Sequence, residues 1–284
     1  MKKLGILGPP GTHSEAAAVW LNSTLEKKYE LVIFPEIFEV LNAVEDAQID
    51  SGFVPVENSL EGSINITLDT LARSDSLIVT RELIWPVHNH LTAKAGVKIS
   101  DVKKIFSHPQ PISQCQKYLR QKFFDVEIIK TTSTARAAEI VAASKAEEGF
   151  AAICTERAGQ LNNLETLATE IQDNMANSTR FFEVQRREKN FDFKNFDGDK
   201  VLIICQIDGS CAGALCGVLE EFSERNVNMT RIESRPARTE LGEYIFFFDL
   251  EVTPYRRLLY ESIEAVRKKS IWLKNLGIFP VIHA

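Results

Sequence analysis

The polar side chains best suited to hold a small carboxylic acid are concentrated in one run, Asn177 to Phe182. The run carries an amide, two hydroxyls, a guanidinium and aromatic rings at the start of a predicted strand. Amides, hydroxyls and guanidinium groups are the donors that recognise and polarise a carboxylate. A plain strand with a solvated arginine is the alternative interpretation. We take Asn177, Thr179, Arg180 and Phe181 as candidate site residues.

Two further polar runs lie between a predicted strand and a predicted helix. Asn58 and Ser59 follow one buried strand, and Gln110 follows another. In an open α/β sheet, ligands bind beyond the carboxyl ends of the strands, so these side chains are candidates for the same cleft. Asn and Ser are also common helix caps, and a structural role stays open for both.

The first predicted strand leads into a loop that opens the first helix and reads Gly8-Pro9-Pro10-Gly11-Thr12-His13-Ser14-Glu15. A helix N-terminus favours an anion. The loop is not a phosphate cradle, because it lacks a Gly-Lys-Ser/Thr ending and its two prolines remove backbone donors. Thr12 to Glu15 has the spacing of a capping box, and a carboxylate-binding role for Thr12 and Ser14 stays open beside it.

Composition restricts the class of protein. The chain has 284 residues, enough for about two domains. Its net charge is -6 and no run of Lys and Arg is long enough to follow a nucleic-acid backbone. No signal-peptide core or membrane-length apolar run is present, so we expect neither membrane nor nucleic acid as a partner. Five cysteines without a C-x-x-C pair fit the cytoplasm, and His88 and His90 lack a third metal ligand.

Hydrophobic patterning divides the chain into two predicted α/β domains. Up to residue 187, buried β-rich runs alternate with helical spacing, which predicts a largely parallel sheet with helices on both faces. Residues 188–199 are polar and charged and read as a linker. Residues 200–284 have the order βαββαβ of a ferredoxin-like module. Because about 80 residues are marginal for a separate domain, we expect this module to pair with something through an edge or a face.

Two short runs in the second domain invite a functional reading. Gly213-Ala214-Leu215 opens a predicted helix, and Glu233-Ser234-Arg235-Pro236 ends a predicted strand. A close-packing helix start and a turn are the alternative interpretations.

Taken together and in this order, the motifs resemble the prephenate dehydratase family, hydro-lyases of phenylalanine synthesis, over nearly the whole chain. The second domain resembles an ACT regulatory domain. No chorismate mutase segment precedes the first strand, so the resemblance is to a monofunctional enzyme. The motifs are Gly8 to Thr12, Pro55 to Ser59, His108 to Gln110 with Gln114-Cys115, Asn177 to Phe181, Gly213 to Leu215 and Glu233 to Pro236.

The resemblance implies a two-lobed catalytic domain like a type II periplasmic binding protein, with the active site in the cleft. We expect the chain to cross between lobes near residue 78 and again within 155–175. The family reaction converts prephenate to phenylpyruvate, carbon dioxide and water. Formation of an aromatic ring drives it, so neither a cofactor nor a metal is expected.

The resemblance also suggests roles for individual residues. Thr179 would donate to the leaving hydroxyl, Arg180 would clamp a carboxylate, and Phe181 would shape the pocket. A threonine hydroxyl is a very weak acid, which favours hydrogen-bond stabilisation or relay over simple proton donation. Polar contacts from the facing strand ends would come from Asn58, Ser59, Thr12 and Gln110.

Feedback control is implied as well. L-phenylalanine would bind between residues 213–215 of one copy and 233–236 of another, in a homodimer or a dimer of dimers.

Two positions depart from the family: His13 stands where an aromatic is frequent, and Ala212 where a proline is frequent. Arogenate dehydratase, and a non-catalytic amino-acid sensor on the same fold, are the alternatives.

Overall fold

The computed structural model describes residues 1–189, 191–240, 242–252 and 255–284. The α-helices are α1 (His13–Thr24), α2 (Ile37–Glu45), α3 (Asn65–Arg73), α4 (Pro109–Gln114), α5 (Gln116–Lys122), α6 (Thr134–Ala143), α7 (Glu156–Leu161), α8 (Ala214–Ser223) and α9 (Arg256–Lys269). The strands are β1 (Lys3–Leu7), β2 (Glu30–Phe34), β3 (Ser51–Asn58), β4 (Gly62–Ser63), β5 (Leu77–Pro86), β6 (His90–Ala93), β7 (Lys104–Ser107), β8 (Glu127–Lys130), β9 (Phe150–Cys154), β10 (Glu165–Ala168), β11 (Ser178–Arg186), β12 (Lys200–Gln206), β13 (Met229–Pro236), β14 (Tyr244–Glu251), β15 (Trp272–Phe279) and β16 (Val281–His283). Among these helices, none is both long enough and apolar enough to cross a membrane.

The first sheet has the order β16-β5-β11-β3-β1-β2, with β4 attached to β3. Strands β1, β2 and β3 are parallel, as predicted. Strand β11 runs antiparallel to both β3 and β5, so the expectation of a largely parallel sheet is wrong in its centre. The reason is topological: β11 returns from the second lobe and enters the sheet from the opposite end.

The second sheet, ordered β10-β6-β9-β7-β8, forms the other lobe. The chain crosses into it between Pro86 and His90 and leaves it between Ala168 and Ser178. Ile78 lies inside the first sheet, so the predicted crossing near residue 78 is too early. Strand β5 continues to Pro86 because it pairs with β11 from Leu77 onward. Strands β6 and β10 flank the two crossings.

The third sheet has the order β13-β14-β12-β15 with antiparallel neighbours, which is the βαββαβ topology predicted for residues 200–284. Helices α8 and α9 cover one face, where Val218 and Ile263 are buried. The other face shares a core with the first sheet, in which Phe247 and Phe279 lie with Phe182. A continuous apolar layer therefore joins the first predicted domain to the second.

The end of the chain divides between two sheets, although the apolar pattern of residues 276–282 predicts a single last strand. Strand β15 stops at Phe279, and β16 pairs in parallel with β5 in the first sheet. The backbone N–H of Glu82 donates to the carbonyl of Pro280, 3.0 Å away, at this change of sheet. The outer edge of β5 would otherwise expose unpaired backbone groups, which β16 satisfies.

Phe181 lies in the core beneath α1. Its ring stacks on Phe53 with centroids 4.9 Å apart, and its exposed fraction is 1%. Leu4, Ile6 and Leu21 belong to the same cluster. Phe181 therefore supports the sheet from inside rather than lining a cleft, which corrects its expected role in shaping the pocket.

We expect Phe181→Ala to lower the free energy of unfolding by about 3–5 kcal/mol, because the substitution leaves a cavity in a closed core. Chemical denaturation of wild type and variant measures this difference. Phe124→Ala is the matched control: Phe124 is 96% exposed, and its removal should change stability by less than about 0.5 kcal/mol. Equal stability of the two variants would contradict the core role of Phe181.

Candidate active site

The pairing of β3 with β11 brings the main predicted site residues together. Thr179 lies directly opposite Asn58, and Arg180 lies opposite Glu57. Because successive side chains of a strand point to opposite faces, Asn58 and Thr179 share one face of the sheet and Glu57 and Arg180 share the other. The first pair lies at the edge that faces the second lobe.

Asn58 organises the site. Its Nδ2 donates to Thr179 Oγ1 at 3.0 Å and to Asn177 Oδ1 at 2.9 Å. Its Oδ1 accepts from the backbone N–H groups of Leu60 and Glu61, at 3.0 and 3.1 Å. The amide is thereby held with its nitrogen toward Thr179. Thr179 Oγ1 accepts this bond and donates to no other described residue, so its proton is available to a ligand.

Ser59 closes the junction between the two strands. Its backbone N–H donates to the carbonyl of Ser178 at 2.9 Å, and its Oγ accepts from the backbone N–H of Ser178 at 3.0 Å. Its hydroxyl is therefore engaged with the backbone. One cluster contains the predicted residues Asn58, Ser59, Asn177 and Thr179. In it, Ser59 connects the ends of β3 and β11 through the backbone of Ser178.

A chain of amides continues from this cluster across the lobe crossing. Asn177 Nδ2 donates to Gln114 Oε1 at 3.3 Å, and Asn89 Nδ2 donates to the same oxygen at 3.4 Å. Gln172 Oε1 accepts from the backbone N–H of Asn89 at 2.9 Å. Among the described residues, the buried atoms Gln114 Nε2 and Asn89 Oδ1 have no hydrogen-bond partner. A buried polar atom without a partner is costly, so both atoms are candidates to meet a ligand or an ordered water.

Sequence reasoning missed Gln114 and Asn89 as site residues. Gln114 follows Gln110 by four positions on α4, and i, i+4 side chains share one helix face. That spacing could have placed Gln114 at the cleft, whereas nothing in the sequence distinguishes Asn89. Gln110 lies in the first turn of α4, where its backbone N–H donates to His108 Nδ1 at 3.4 Å. The Gln110 side chain makes no hydrogen bond within the described ranges.

The loop before α1 holds the lobes together. Thr12 Oγ1 accepts from the N–H of Glu15 at 3.4 Å and donates to the carbonyl of Pro9 at 3.0 Å. Glu15 in turn accepts from Gly11 N–H at 3.1 Å and is held by Arg157 of α7. Thr12 is thus a helix cap whose hydroxyl is engaged, and Glu15 completes a variant of the expected capping box. Ser14 is buried in the first turn and takes no part in the amide chain.

Arg180 points away from the cleft, which corrects its expected role as carboxylate clamp. Its Nη1 donates to Glu57 Oε2 at 2.8 Å, and its Nε and Nη2 donate to Glu82 at 3.1 and 2.9 Å. Nη2 also reaches Asp249 Oδ2 of β14 at 2.7 Å. Burial alone would raise the pKa of Glu82, but Arg180 and Lys200 outweigh it and hold that pKa below its usual value. Four of the five guanidinium N–H groups therefore donate to carboxylates of the chain itself.

His13 is a neutral donor beside the amide chain. Burial is the main cause that lowers its pKa from 6.5 to about 4, with His88 and His90 adding to the effect against an opposing contact from Asn89. Trp85 Nε1–H donates to His13 Nδ1 at 3.4 Å, so the ring proton resides on Nε2. Although an edge of the ring is accessible, Nε2 is buried and has no described partner.

A cavity of about 410 Å³ lies between α1 and α7, next to His13. Trp20, Trp85 and Arg157 contribute to its wall, and most of the wall is apolar. Neither Asn58 nor Thr179 lines it, so the cavity is adjacent to the amide cluster rather than identical with it. Within the ranges described, no group of three or more His, Cys, Asp or Glu side chains is arranged to hold a metal ion.

The second domain has a pocket of about 260 Å³ at the start of α8. Gly213, Ala214 and Leu215 line it, together with Tyr244 and Phe246 of β14. These three predicted residues therefore do come together at one concave surface. Gly213 has φ +82°, a left-handed conformation that favours glycine, which explains its place before the helix.

The strand-end run of the second domain divides between two faces. Ser234 lies opposite Phe246 and Pro236 opposite Tyr244, on the side of the pocket. Glu233 accepts from Ser63 Oγ at 2.9 Å, and Arg235 donates from Nε and Nη2 to Asp69 at 3.0 Å each. Glu233 and Arg235 therefore contact the first part of the same chain, which corrects their expected place in a ligand site.

Fold and site together define a class: an α/β protein with two lobes, a cluster of amides and a hydroxyl between them, and an appended βαββαβ layer. A family model described as prephenate dehydratase matches residues 4–189. A prephenate dehydratase of Methanocaldococcus jannaschii is 34% identical over 274 residues, 96% of each chain. One of Bacillus subtilis is 33% identical over 256 residues, 88% of each chain. The chain belongs to the prephenate dehydratase family.

Solved structures agree with this membership. The prephenate dehydratase of Arthrobacter aurescens in complex with L-Phe matches with a TM-score of 0.85 at 29% identity, covering 98% of this chain and 90% of that one. The prephenate dehydratase of Staphylococcus aureus matches with a TM-score of 0.81 at 30% identity, covering 98% of this chain and all of that one. Both comparisons extend through the third sheet.

The lowered pKa of His13 predicts a pH dependence of stability. Between pH 6.5 and 4 the unfolded chain binds a proton at this position that the folded chain does not, so stability falls as the pH decreases. We expect His13 to account for a loss of about 2 kcal/mol at pH 5 relative to pH 7.5. The His13→Phe variant should therefore lose less stability than wild type over that interval. Urea denaturation at both pH values measures the difference, and parallel behaviour of the two proteins would contradict it.

Proposed function

We propose that this chain is a carbon–oxygen lyase that converts prephenate to phenylpyruvate, carbon dioxide and water between its two lobes. Membership in the prephenate dehydratase family supports the reaction. The observation that carries the assignment to a site is the bond from Asn58 Nδ2 to Thr179 Oγ1. Thr179 Oγ1 accepts this bond and donates to no described residue, so its proton is free for a ligand.

Thr179 assists departure of the ring hydroxyl as a hydrogen-bond donor. Because Asn58 donates to its oxygen, the threonine hydroxyl is polarised and its own proton is free for the substrate. Donors arranged before the reaction stabilise charge that develops on a leaving oxygen, and they need no reorganisation when the bond breaks. The weak acidity of threonine is then no obstacle, since full proton transfer to the leaving group can involve water.

Neutral donors of the amide chain orient the substrate in this proposal. Gln114 Nε2 and His13 Nε2–H are buried donors without partners in the described parts of the chain, and each can meet a carboxylate or carbonyl oxygen. Arg180 takes no part, because its guanidinium is held by Glu82 and Asp249. Holding the breaking carbon–carbon and carbon–oxygen bonds in alignment accelerates a reaction that formation of an aromatic ring already drives.

The central prediction is that Thr179→Val lowers kcat for prephenate about 10²–10³-fold, the effect of losing one such donor. Thr179→Ser keeps the hydroxyl and should retain most of the rate. Absorbance of phenylpyruvate follows the reaction.

Thr80→Val is the matched control for this experiment. Thr80 lies on β5 of the same sheet, where its hydroxyl donates to the carbonyl of Glu183 at 3.3 Å, away from the cleft. The kcat of the Thr80→Val enzyme should stay within about twofold of wild type, as for a substitution outside the site. A Thr179→Val enzyme as fast as Thr80→Val would contradict the assignment. Parallel assays with arogenate distinguish the two dehydratases, and inactivity toward both substrates would favour a sensor.

We propose further that residues 200–284 form an ACT regulatory domain, with 1–187 as the catalytic domain and 188–199 as the linker. The pocket at the start of α8 is the proposed site for L-phenylalanine. The free N–H groups of the helix start can bind a carboxylate, and Tyr244 and Phe246 offer aromatic surface. The structure of the Arthrobacter aurescens relative with L-Phe supports a phenylalanine complex in this family.

A cytoplasmic location is proposed because buried thiols such as Cys115 and Cys154 stay reduced there.

A homodimer or dimer of dimers through the second domain is part of this proposal. Strand β13 is at an edge of its sheet. Ile232 on that strand is 44% exposed, and Tyr244 beside the pocket is 46% exposed. An accessible edge with apolar side chains is suited to pair with a second copy, which would also close the pocket.

Ala214→Leu tests the phenylalanine site, because the larger side chain extends into a pocket of about 260 Å³. We expect a Kd for phenylalanine at least ~10-fold higher, about 1.4 kcal/mol, and proportionally weaker inhibition. Ala212→Leu is the control, since Ala212 is exposed and outside the pocket. Calorimetry and inhibition assays on both variants measure the effect, and equal affinities would place phenylalanine elsewhere.

A further inference from the structure

A cluster of buried charges lies on the sheet face opposite Asn58 and Thr179. Arg180 joins Glu57 of β3, Glu82 of β5 and Asp249 of β14 in one contact group. Lys200, at the start of β12, adds a bond to Glu82 at 3.0 Å. The side chains of Glu82 and Asp249 are 0% and 1% exposed. The cluster therefore connects the two strands of the cleft with the second domain.

Each cluster residue on β3 and β11 is covalently next to a cleft residue. Glu57 immediately precedes Asn58, and Arg180 immediately follows Thr179. Within a strand, neighbouring residues share a peptide plane and point to opposite faces. A displacement of Arg180 would therefore turn the peptide that carries Thr179 and change the distance between Thr179 Oγ1 and Asn58 Nδ2.

Asp249 supplies the second domain's direct contact with Arg180. Its Oδ2 accepts from Arg180 Nη2 at 2.7 Å, and its Oδ1 has no hydrogen-bond partner among the residues described. The side-chain bonding of this carboxylate is thus directed at Arg180. Glu57 of β3 and Glu82 of β5 hold the guanidinium from within the first sheet. Asp249 of β14 holds it from the second domain.

We propose that Arg180 is a positioning residue for Thr179 and that Asp249 of the second domain holds Arg180 in place. The inference rests on the proposed function, in which Thr179 is the donor to the leaving group. It replaces the carboxylate-clamp role for Arg180 with a structural link from the second domain to the catalytic hydroxyl.

The competing explanation is that Asp249 merely holds the two domains together. The chain offers a matched control in Asp69 of α3, which pairs with Arg235 of β13 at 3.0 Å. Asp69 is also buried, with an exposed side-chain fraction of 6%, and its partner also comes from the second domain. It contacts neither Arg180 nor Thr179. Loss of Asp69 removes its ion pairs with Arg235 and Arg238, and loss of Asp249 removes its ion pair with Arg180. Only Asp249 contacts the strand of Thr179.

The test compares Asp249→Asn with Asp69→Asn in the full chain. We expect Asp249→Asn to lower kcat for prephenate about 10- to 100-fold with KM within twofold, since small misplacements of a catalytic group have effects of this size. Asp69→Asn should leave kcat within twofold. An unchanged kcat in Asp249→Asn, or an equal loss in both variants, would overturn the proposal.

Hydrogen exchange gives a readout that needs no substrate. Peptides covering residues 56–60 and 177–182 should exchange faster in Asp249→Asn than in wild type, and at the wild-type rate in Asp69→Asn. Equal exchange in the two variants would overturn the positioning role. Because this measurement is independent of turnover, a wild-type chain that fails to convert prephenate would contradict the proposed function alone.

A milder pair of variants covers the case in which Asp249→Asn does not fold. Asp249→Glu keeps the charge but moves the carboxylate by one methylene, and Asp69→Glu is its control. We expect a several-fold loss of kcat and faster exchange at 177–182 in the first variant only. The same loss in both variants, or in neither, would overturn the proposal.

Discussion

The antiparallel pairing of β3 with β11 fixes both the polar cluster at the cleft and the charged groups behind it. The register that sets Thr179 opposite Asn58 also sets Arg180 opposite Glu57, so one set of backbone hydrogen bonds determines both the polar cluster at the cleft and the buried ion pairs behind it. A shift of one residue would exchange the two faces and bury the hydroxyl among the carboxylates. Beyond this pair of residues the register of β11 shifts once against β3, between Arg180 and Phe181, and once against β5, between Glu183 and Val184. Ser59 and Ser178 then close its end with two hydrogen bonds at the mouth of the cleft.

The buried charges behind the sheet are stable only when each one keeps its partner. Four carboxylates, Glu57, Glu82, Glu233 and Asp249, are joined to three cations, Arg180, Lys200 and Arg231, so opposite charges nearly balance in the cluster. Burying so many charges yields little net stability, because desolvation offsets the attraction. Removing one partner is different: it leaves an uncompensated buried charge and typically costs about 3–5 kcal/mol. The cluster thus contributes more to a unique register and domain arrangement than to the stability of the fold.

The cleft side of the sheet carries neutral polar groups instead of charges. Its side chains are neutral amides, a hydroxyl and a neutral imidazole, and their orientations are set by one another: Asn58 is fixed by two backbone N–H groups, Asn177 by Asn58, and Gln114 by Asn177 and Asn89. Donors that are already oriented can bind a polar ligand with little loss of conformational entropy. The chain of amides also crosses the segments between the lobes. The side chains proposed to contact the substrate are therefore physically linked to the arrangement of the lobes.

Sequence patterns were enough to predict the family, the two α/β units, the order βαββαβ of the second unit and the cluster of Asn58, Ser59, Asn177 and Thr179. These follow from local information: hydrophobic period, turn residues and motifs at the ends of strands. The direction in which each side chain faces could not be predicted in this way. The direction of β11 in the sheet, the burial of Phe181, the turning of Arg180 toward Asp249 and the division of residues 233–236 between two faces all depend on pairing partners far away in the chain. A run of adjacent polar residues reads as one site in the sequence, whereas a strand distributes that run to its two opposite faces.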